Sequence, residues 1–407
     1  LENATFSLAK PAAQVDPVDI EGPSAADYDP INDRKLDEKH REEKELPSFA
    51  CDKTTPADNS LDMFADDDMF ADPPLSHPLP TLKPSIPLAR QLDERLLDNW
   101  DDAEGYYRVI MGELVDGRYV VNANLGKGMF STVVKVTENL SGKQYAIKIV
   151  RNNESMRKAG IKEIGILKKL MEADPDDRKH IIRMDRHFDH KSHLCIVFES
   201  SSINLREVLK KFGRDVGINL KAVNEARNVL KICDLGSASD ASENDITPYL
   251  VSRFYRAPEI ILGLPYDFSL DVWSIGCTLY ELYSGKILFP GRSNNQMLKL
   301  IMECRGRFNN KFLKKGDFTH LHFDEQFNFQ SSELDRHTGK ILVKTCNFSK
   351  PVKDLKSKLI GSNSPDLSTQ DLKLLNNFVD FLDKCLNLLP EKRITPKEAL
   401  IHPFIRG

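Results

Sequence analysis

The chain has 407 residues, of which 40% are apolar and 29% charged, so it is long and apolar enough for one large or two ordinary domains in water. Its seven cysteines form no Cys-x-x-Cys pair, which argues against a disulfide framework or a zinc site and favours a reducing compartment. No apolar run reaches the roughly 20 residues that a membrane span needs, so we expect no membrane contact.

The net charge of −4 is divided unevenly along the chain. Residues 1–94 hold 21 acidic and 9 basic side chains, twelve of the 22 prolines and one glycine, whereas the remainder holds 40 acidic and 48 basic side chains. Such a charged, proline-rich segment buries too little apolar surface to offset the entropy of ordering, so residues 1–94 are predicted to be disordered. Residues 95–118 are predicted to be an extension that leads into a folded domain.

The tail contains one short repeat, Asp-Met-Phe-Ala-Asp, at residues 62–66 and 68–72. A Met-Phe pair flanked by acids suits a docking motif that becomes ordered on a partner. Solubilising low-complexity sequence is the alternative interpretation.

Beyond the tail, the pattern of apolar residues predicts an α+β fold. Alternating, β-branched runs predict three antiparallel strands, and a helix and two more strands follow: Tyr119–Leu125, Thr132–Glu138, Lys143–Val150, Glu154–Met171, Ile181–Phe188 and His193–Glu199. The pattern then becomes mainly helical, with helices over Asn204–Gly213, Ser269–Gly285, Asn294–Cys304 and Ser368–Leu388. A small sheet lobe and a larger helical lobe would leave a ligand cleft between them.

A glycine-containing loop connects the first two predicted strands, with the sequence Gly-Lys-Gly-Met-Phe-Ser-Thr-Val at residues 126–133. Gly126 and Gly128 would let the backbone approach phosphate oxygens closely, and Val133 could cover an adenine ring. Ser131 stands where a third glycine is often found, and a plain hairpin turn is the alternative.

Lys148 ends a Tyr-Ala-Ile-Lys run, fifteen residues after Val133. A lysine on a central strand that points into a cleft is costly unless an anion meets it. Glu163 on the predicted helix and a nucleotide phosphate would supply that charge. A lysine at a strand edge is the alternative.

Asp234 follows a further predicted strand, Asn228–Ile232, within the run Cys233-Asp-Leu-Gly236. A carboxylate at a strand end, followed by glycine, suits a Mg²⁺ ligand on a mobile segment, although any Asp-x-Gly turn has the same letters. Cys233 is interpreted as a small core residue.

The strongest motif is Thr247–Glu259, with the sequence Thr-Pro-Tyr-Leu-Val-Ser-Arg-Phe-Tyr-Arg-Ala-Pro-Glu, followed by Asp271-Val-Trp-Ser-Ile-Gly. With the three earlier motifs, in this order and spacing, it resembles protein kinases over residues 119–404. The resemblance implies that Glu259 and Arg393 form a buried ion pair that fixes the activation segment. It also implies that Asp271 braces the loop region beneath.

For the cleft, the same resemblance implies that Lys148 contacts the α- and β-phosphates of ATP, that Glu163 pairs with Lys148, and that Asp234 holds Mg²⁺. Phe198 corresponds to the gatekeeper position, and Glu199 and Ser201 would face the adenine through their backbone groups. The nucleotide-contacting positions so implied are Leu125, Gly126, Lys127, Gly128, Met129, Phe130, Ser131, Thr132, Val133, Ala146, Lys148, Phe198, Glu199 and Ser201.

Within the kinases, the pattern Thr247-x-Tyr249 followed by Arg253 and Arg256 resembles the CMGC group. In related kinases a phosphotyrosine is held by arginines four and seven residues later, which are Arg253 and Arg256 here. Phosphorylation would add roughly −1.5 to −2 charge and order the segment against them.

Within that group the sequence is similar to the DYRK-related pre-mRNA processing kinases of the spliceosome. The similarity rests on Asp101–Arg108, Asn204–Gly213, Asn244–Arg253, Gly285–Gly291 and the Asp-Met-Phe-Ala repeat. It implies a nuclear serine/threonine kinase that uses ATP and Mg²⁺ and acts on splicing-factor proteins within a spliceosomal complex. No basic patch interleaved with aromatic residues argues for direct nucleic-acid binding.

The kinase catalytic loop is absent from the sequence. That loop carries an aspartate that accepts the substrate hydroxyl proton and, five residues later, an asparagine for Mg²⁺, in the form His-Arg-Asp-x-x-x-x-Asn. None of the ten histidines precedes Arg-Asp or Ala-Asp. The family pattern stops at Val223 and resumes without drift at Asn224, so that a buried helix and the catalytic loop, about 33 residues, are lacking.

Three interpretations follow from this junction. The family predicts an active serine/threonine kinase. The chain as written predicts a catalytically dead, nucleotide-binding splicing scaffold. A clean junction is also typical of a skipped exon or an incorrect gene prediction, which would give an inactive product.

Overall fold

The computed structural model describes residues 33, 35, 100–213, 217–218, 229–241, 246, 250–334, 341–348, 350–360 and 368–407. Within the tail, Asp33 and Lys35 are helical and Asp33 is buried. Residues 1–32, 34 and 36–94 lie outside the described residues, so the disorder expected for 1–94 stays a prediction. The Asp-Met-Phe-Ala repeat, the Val223–Asn224 junction, Thr247 and Tyr249 lie outside the described residues.

A six-stranded antiparallel sheet forms the first lobe, in the order β1-β2-β3-β4-β6-β5. Its strands are β1 (Leu114–Val115), β2 (Tyr119–Lys127), β3 (Ser131–Glu138), β4 (Gln144–Val150), β5 (Met184–His190) and β6 (His193–Glu199). The first strand was not predicted, because two residues are too short to show alternation.

The two faces of this sheet bury different sets of side chains. One face packs Tyr119, Val134 and Ile147 into a core closed by Tyr107 of the N-terminal extension. The other face packs against α1 (Glu154–Ala173), which buries Ile164 and Leu167 upon it. Asn153 caps α1 by accepting a hydrogen bond from the Ser155 N–H, so the helix begins where the predicted period begins.

The second lobe is mainly helical and surrounds a core that contains Trp273, stacked on Phe289 with ring centroids 5.8 Å apart. A hairpin of β7 (Phe329–Leu334) and β8 (Ile341–Cys346) lies within the helical lobe. The helices are α2 (Leu205–Phe212), α3 (Pro258–Leu262), α4 (Ser269–Ser284), α5 (Asn294–Arg305), α6 (Asn310–Leu313), α7 (Leu355–Ile360), α8 (Thr369–Cys385), α9 (Pro396–Leu400) and α10 (Pro403–Arg406). The predicted α+β, two-lobed fold is confirmed. No helix in the described ranges is long and apolar enough to cross a membrane.

The strand predicted over Asn228–Ile232 is wrong for its described part, 229–232. Only an isolated parallel bridge joins Ile232 to Ile181, and the side chains of Val229, Leu230 and Ile232 are all more than 60% exposed. Cys233, interpreted as a core residue, is exposed as well. The apolar composition of this run predicted a buried strand, but a single bridge with exposed side chains does not make a ladder.

Candidate nucleotide-binding site

Lys148 and Glu163 form a buried ion pair at the inner edge of the sheet lobe. Lys148 lies on β4 between Val133 of β3 and Ile196 of β6, and its side chain is 11% exposed. The Lys148 Nζ atom lies 2.9 Å from Glu163 Oε2 and 3.1 Å from Oε1. Glu163 projects from the face of α1 that packs on the sheet and is 2% exposed.

Asp234 completes the cluster from a distant part of the chain. Its Oδ1 atom lies 2.9 Å from Lys148 Nζ, while its side chain remains 78% exposed. Asp234 adopts a left-handed backbone conformation (φ 62°) immediately before a 3₁₀ turn, Leu235–Ser237. Gly236 follows so closely that a Cβ there would lie 3.3 Å from Glu163 Oε2 and 3.4 Å from Lys148 Nζ. The glycine is therefore needed for close packing of this turn against the ion pair.

The pKa of Lys148 is raised within this cluster. Burial alone would lower it, but the charges of Asp234 and Glu163, together with their hydrogen bonds, outweigh that desolvation. Lys148 is therefore a permanent cation that contacts two carboxylates, the buried Glu163 and the exposed Asp234. An ammonium in that position can meet a phosphate oxyanion.

The glycine loop is a tight connection between β2 and β3, where Gly126 pairs with Val133 and Lys127 with Thr132. Gly126 adopts φ 157°, and the Gly128 N–H donates to the Ser131 carbonyl at 2.8 Å. Met129 and Phe130 at the tip are half-buried.

Two residues that the sequence motifs did not single out hold the tip of this loop. Tyr106 Oη lies 3.0 Å from the Gly128 carbonyl oxygen and 3.2 Å from that of Met129. Arg151 Nη1 donates to the Met129 carbonyl at 3.1 Å. The Tyr106 ring lies between Lys127 Nζ, 3.7 Å from its centroid, and the Arg151 guanidinium, at 4.3 Å. The sequence analysis noted the Asp101–Arg108 run, which includes Tyr106, for its family similarity. The sequence did not indicate which residues Tyr106 would contact.

The residues expected to face the adenine are spread over the sheet: Val133 lies on β3, Glu199 ends β6 and Ser201 lies just beyond it. Ala146 of β4 pairs in register with Phe198 of β6, and Phe198 is buried at the end of the core beside α1. Glu199 uses its carboxylate to accept from the Arg183 N–H at 2.8 Å and from Lys231 Nζ at 2.6 Å. Leu125 and Ser201 are exposed.

In the helical lobe, Glu259 and Arg393 form a fully buried ion pair, with Glu259 Oε2 and Arg393 Nη2 2.7 Å apart. Arg253 and Arg256 lie together nearby, and both contact the carboxylate of Asp33. Tyr249 and Thr247 are outside the described residues, so their proposed roles stay predictions.

Among the residues that the structure describes, Asp271 has no loop partner, so the bracing role expected for it stays a prediction. Its side chain is exposed and makes no hydrogen bond or ion pair with any residue that the structure describes. The pKa of Asp271 is raised because surrounding protein atoms desolvate the carboxylate, and no cation or donor offsets that effect.

The donor set suits a weak magnesium–nucleotide site. Across the described ranges, no group of three or more histidine, cysteine or acidic side chains is arranged to hold a metal ion. Asp234 contributes one exposed carboxylate, and Mg²⁺ is commonly bound by one or two carboxylates together with substrate phosphates and water. The described residues therefore fit Mg²⁺ that is bound together with a nucleotide. They do not form a metal site from protein ligands alone.

Comparison with known sequences matches the chain to one family model and to several similar proteins. The family model described as "Protein kinase domain" matches residues 119–219 and 218–405. Serine/threonine-protein kinase prp4 of Schizosaccharomyces pombe is 50% identical, over 83% of this chain and 77% of the relative. Serine/threonine-protein kinase prpf4B of Dictyostelium discoideum is 44% identical, over 76% of this chain and 42% of the relative. The human dual specificity tyrosine-phosphorylation-regulated kinase 4 is 30% identical, over 75% and 61%.

The alignment with the fission-yeast kinase is longer than the part of this chain that it covers. It has 375 positions, whereas 83% of 407 residues is about 338. About 37 aligned positions therefore have no residue of this chain opposite them.

Proposed function

This chain belongs to the protein kinase family, with serine/threonine kinases among its relatives, and from that membership we propose two statements about its function. Its gene encodes an ATP-dependent serine/threonine kinase that phosphorylates splicing factors in the nucleus. The chain as written binds Mg·ATP but does not accelerate transfer of the phosphoryl group to protein.

The observation that carries this proposal is the Lys148 ammonium, held 2.9 Å from both Glu163 and Asp234. A buried cation in that position can orient nucleotide phosphates, and Glu163 keeps it from swinging out of the cleft. Asp234 presents its second oxygen to solvent, where Mg²⁺ bound to ATP could be held and would neutralise phosphate charge. The glycine loop is held at its tip by Tyr106.

Phosphoryl transfer to a protein substrate needs further residues besides those that bind the nucleotide. A kinase positions the substrate hydroxyl with a catalytic-loop aspartate and holds a second Mg²⁺ with an asparagine. The stretch between Glu199 and Asp234 contains no histidine and therefore no His-x-Asp-x-x-x-x-Asn motif. Four observations support the absence of one continuous segment. Asp271 has no partner among the described residues, and the side chains of Val229, Leu230 and Ile232 are exposed. The family model matches in two parts, and the alignment has a surplus of positions.

The splicing assignment rests on the similarity of Asp101–Arg108 and Asn204–Gly213 to spliceosomal kinases. The first run is part of the structure around the glycine loop, because Tyr106 and Asp102 contact that loop. Splicing-factor proteins are the proposed substrates and the spliceosomal complex the proposed partner. If the protein lacks that segment, the chain would act in the spliceosomal complex as a nucleotide-binding scaffold and not as an enzyme.

Titration of the chain with Mg·ATP, monitored by thermal shift, tests nucleotide binding. We expect a concentration-dependent rise in Tm for the parent and for Lys158→Met, whose side chain is exposed on α1. Lys148→Met should lose the shift. If Lys148→Met does not fold, Asp234→Asn should keep a shift with ATP alone and lose the gain from Mg²⁺. A folded parent without any shift would overturn the proposal.

Sequencing of the transcript across the Val223–Asn224 junction decides between kinase and scaffold. An in-frame segment containing His-x-Asp-x-x-x-x-Asn would identify the active enzyme, and the chain carrying it should phosphorylate serine or threonine peptides. The chain as written should transfer no phosphate to the same peptides. Phosphorylation by the chain as written, abolished by Lys148→Met, would contradict the proposal.

A further inference from the structure

His193, the first residue of β6, is fully buried, and both of its ring nitrogens face oxygen atoms that accept hydrogen bonds. The Nδ1 atom lies 2.8 Å from the Val150 carbonyl oxygen, and the Nε2 atom lies 2.6 Å from Oδ1 of the Asp101 carboxylate. A neutral imidazole has one N–H donor, whereas an imidazolium has two. Both contacts are therefore satisfied together when His193 carries a positive charge and Asp101 a negative one.

The surroundings of Asp101 favour its ionised form. Its side chain is 25% exposed, and its Oδ2 atom accepts a hydrogen bond from Asn152 Nδ2 at 2.8 Å. Solvent and a hydrogen-bond donor both stabilise a charged carboxylate, so the proton between the two groups belongs to the imidazole. The resulting ion pair joins the N-terminal extension to the sheet lobe where β4 ends and β6 begins.

Asp101 begins the turn that holds the glycine loop. It pairs with Tyr107 in an isolated antiparallel bridge. Between them, Asp102 accepts a hydrogen bond from the Tyr106 N–H at 2.9 Å and another from Lys127 Nζ at 3.1 Å. Tyr106 in turn contacts the tip of the loop through its hydroxyl. A shift of Asp101 would therefore move the residues that fix the loop.

The other titratable side chains around the pair lie on the extension and on the β5–β6 hairpin: Tyr107, Glu113, His190, Lys191 and Cys195. Glu113 and Lys191 form an ion pair at 2.8 Å, so their charges compensate each other. The Cys195 thiol contacts the backbone carbonyl of His193 and not its ring. Among the described residues, Asp101 is the carboxylate that an ion pair joins to the His193 ring.

We propose that His193 is a positioning residue for the glycine loop: its protonated ring holds Asp101, and loss of the proton to solvent loosens the extension and, through it, the loop. In either neutral tautomer one ring nitrogen presents a lone pair to an oxygen atom, which is repulsive. The stabilising charge is present below the pH at which the ring loses its proton, and it disappears as the pH rises through that value. The consequence for Mg·ATP affinity rests on the function proposed above.

Nitrogen NMR of the full chain, labelled at histidine, tests the charge of the ring. His193→Gln identifies the signals of this residue. At about pH 7 we expect both ring nitrogens of the parent to be protonated and the ring to be neutral in Asp101→Asn. The asparagine keeps the shape, and its amide can donate to Nε2 and accept from Asn152. A neutral His193 ring in the folded parent would overturn the proposal.

Hydrogen exchange tests the positioning without nucleotide. Between about pH 6 and about pH 9, a range that spans the loss of a proton from histidine beside a carboxylate, protection factors over residues 101–108 and 126–131 should fall by about threefold or more in the parent. They should stay constant in Asp101→Asn or, if that variant does not fold, in His193→Gln. The strand Gln144–Val150 should keep its protection throughout. A constant parent, or the same fall in the variant, would overturn the proposal.

His190→Gln is the matched control, because it removes the neighbouring histidine of the same hairpin. This variant should show the fall in protection of the parent, and a flat profile would assign the effect to His190 and overturn the proposal.

Calorimetry with Mg·ATP over the same pH range tests the consequence for binding. The parent should lose about two- to tenfold in affinity, which corresponds to one hydrogen bond to the loop, and Asp101→Asn should not. Titration of the nucleotide itself is common to both chains. Equal pH dependence in the two would overturn the link to the loop. Absence of Mg·ATP binding at every pH would contradict the proposed function, while NMR and hydrogen exchange would still decide the role of His193.

Discussion

Arg393 donates to both oxygens of the Glu259 carboxylate, and neither side chain is exposed to solvent. The two residues are 134 positions apart in the sequence. Arg393 also donates to the carbonyls of Asn387 and Ser269, so that it joins the N-terminal part of the helical lobe to its C-terminal part. The pair fixes α3, which directly follows the activation segment. The position of α3 therefore depends on Arg393, a residue near the C-terminal end of the chain.

Glu259→Gln should unfold the helical lobe more easily, because it leaves the Arg393 charge buried without a counter-charge. Breaking a buried pair in this way costs about 3–5 kcal/mol. Urea denaturation measures the loss. Asp383→Asn, which removes the half-exposed partner of Arg305, should cost less than about 1 kcal/mol. Equal losses in the two variants would show that burial does not distinguish the pairs.

Tyr106→Phe should weaken Mg·ATP binding with little change in overall stability. The substitution keeps the ring between Lys127 and Arg151 but removes the hydroxyl that donates to the glycine loop. One such hydrogen bond is worth about 0.5–1.5 kcal/mol, which corresponds to an affinity loss of about two- to tenfold by calorimetry.

Tyr107→Phe is the matched control for that experiment. Its hydroxyl lies 2.6 Å from Glu113 Oε1, on the far side of the extension from the loop tip. The change should lower the free energy of unfolding and leave the affinity for Mg·ATP as in the parent. A larger affinity loss for Tyr107→Phe than for Tyr106→Phe would contradict the role assigned to Tyr106.

Gly236→Ala should disturb the Lys148–Glu163 pair, since the added Cβ would lie 3.3 Å from Glu163 Oε2. We expect weaker Mg·ATP binding and a Tm below that of the parent. Gly165→Ala is the control, because Gly165 is an exposed position of α1 with open space around its Cβ. Alanine there should raise stability by up to about 1 kcal/mol through its higher helix propensity.

The acid limb of the stability curve should depend on Glu113. Burial would raise the pKa of this carboxyl, but the nearby His190 ring and hydrogen bonds from Lys191 and Tyr107 lower it to about 2. Because the folded pKa lies below the ordinary value of 4.5, the group stabilises the fold above pH 4.5, and that contribution is lost as pH falls towards about 2. Glu113→Gln should flatten urea-derived stability over this range by up to about 3 kcal/mol.

An exposed glutamate near the end of α1 gives the comparison. Glu172→Gln should leave the acid limb as steep as in the parent. An unchanged slope in Glu113→Gln would show that the cluster around Glu113 does not control acid unfolding of the sheet lobe.

The spacing of apolar residues in the sequence determined the β2–β4 meander, α1 and the main helices. The strand alternation and the 3.6-residue helical period can be seen from neighbouring residues alone. The same reasoning, together with the kinase resemblance, singled out Lys148, Glu163 and Asp234 and located the absent catalytic loop. Only the tertiary structure decided that 229–232 is not a strand and that Cys233 is exposed, since both depend on what covers them.

The contacts of Tyr106 with the glycine loop and of Asp33 with Arg253 and Arg256 were also decided by the tertiary structure alone. Each joins residues far apart in the sequence, through single hydrogen bonds or ion pairs that leave no periodic signal in either partner. A tyrosine or an aspartate is compatible with a solvated surface until its distant partner is known. The sequence by itself therefore determined most of the elements, because their periods are local. Three-dimensional packing determined whether 229–232 forms a strand and which side chains hold the glycine loop and the activation segment.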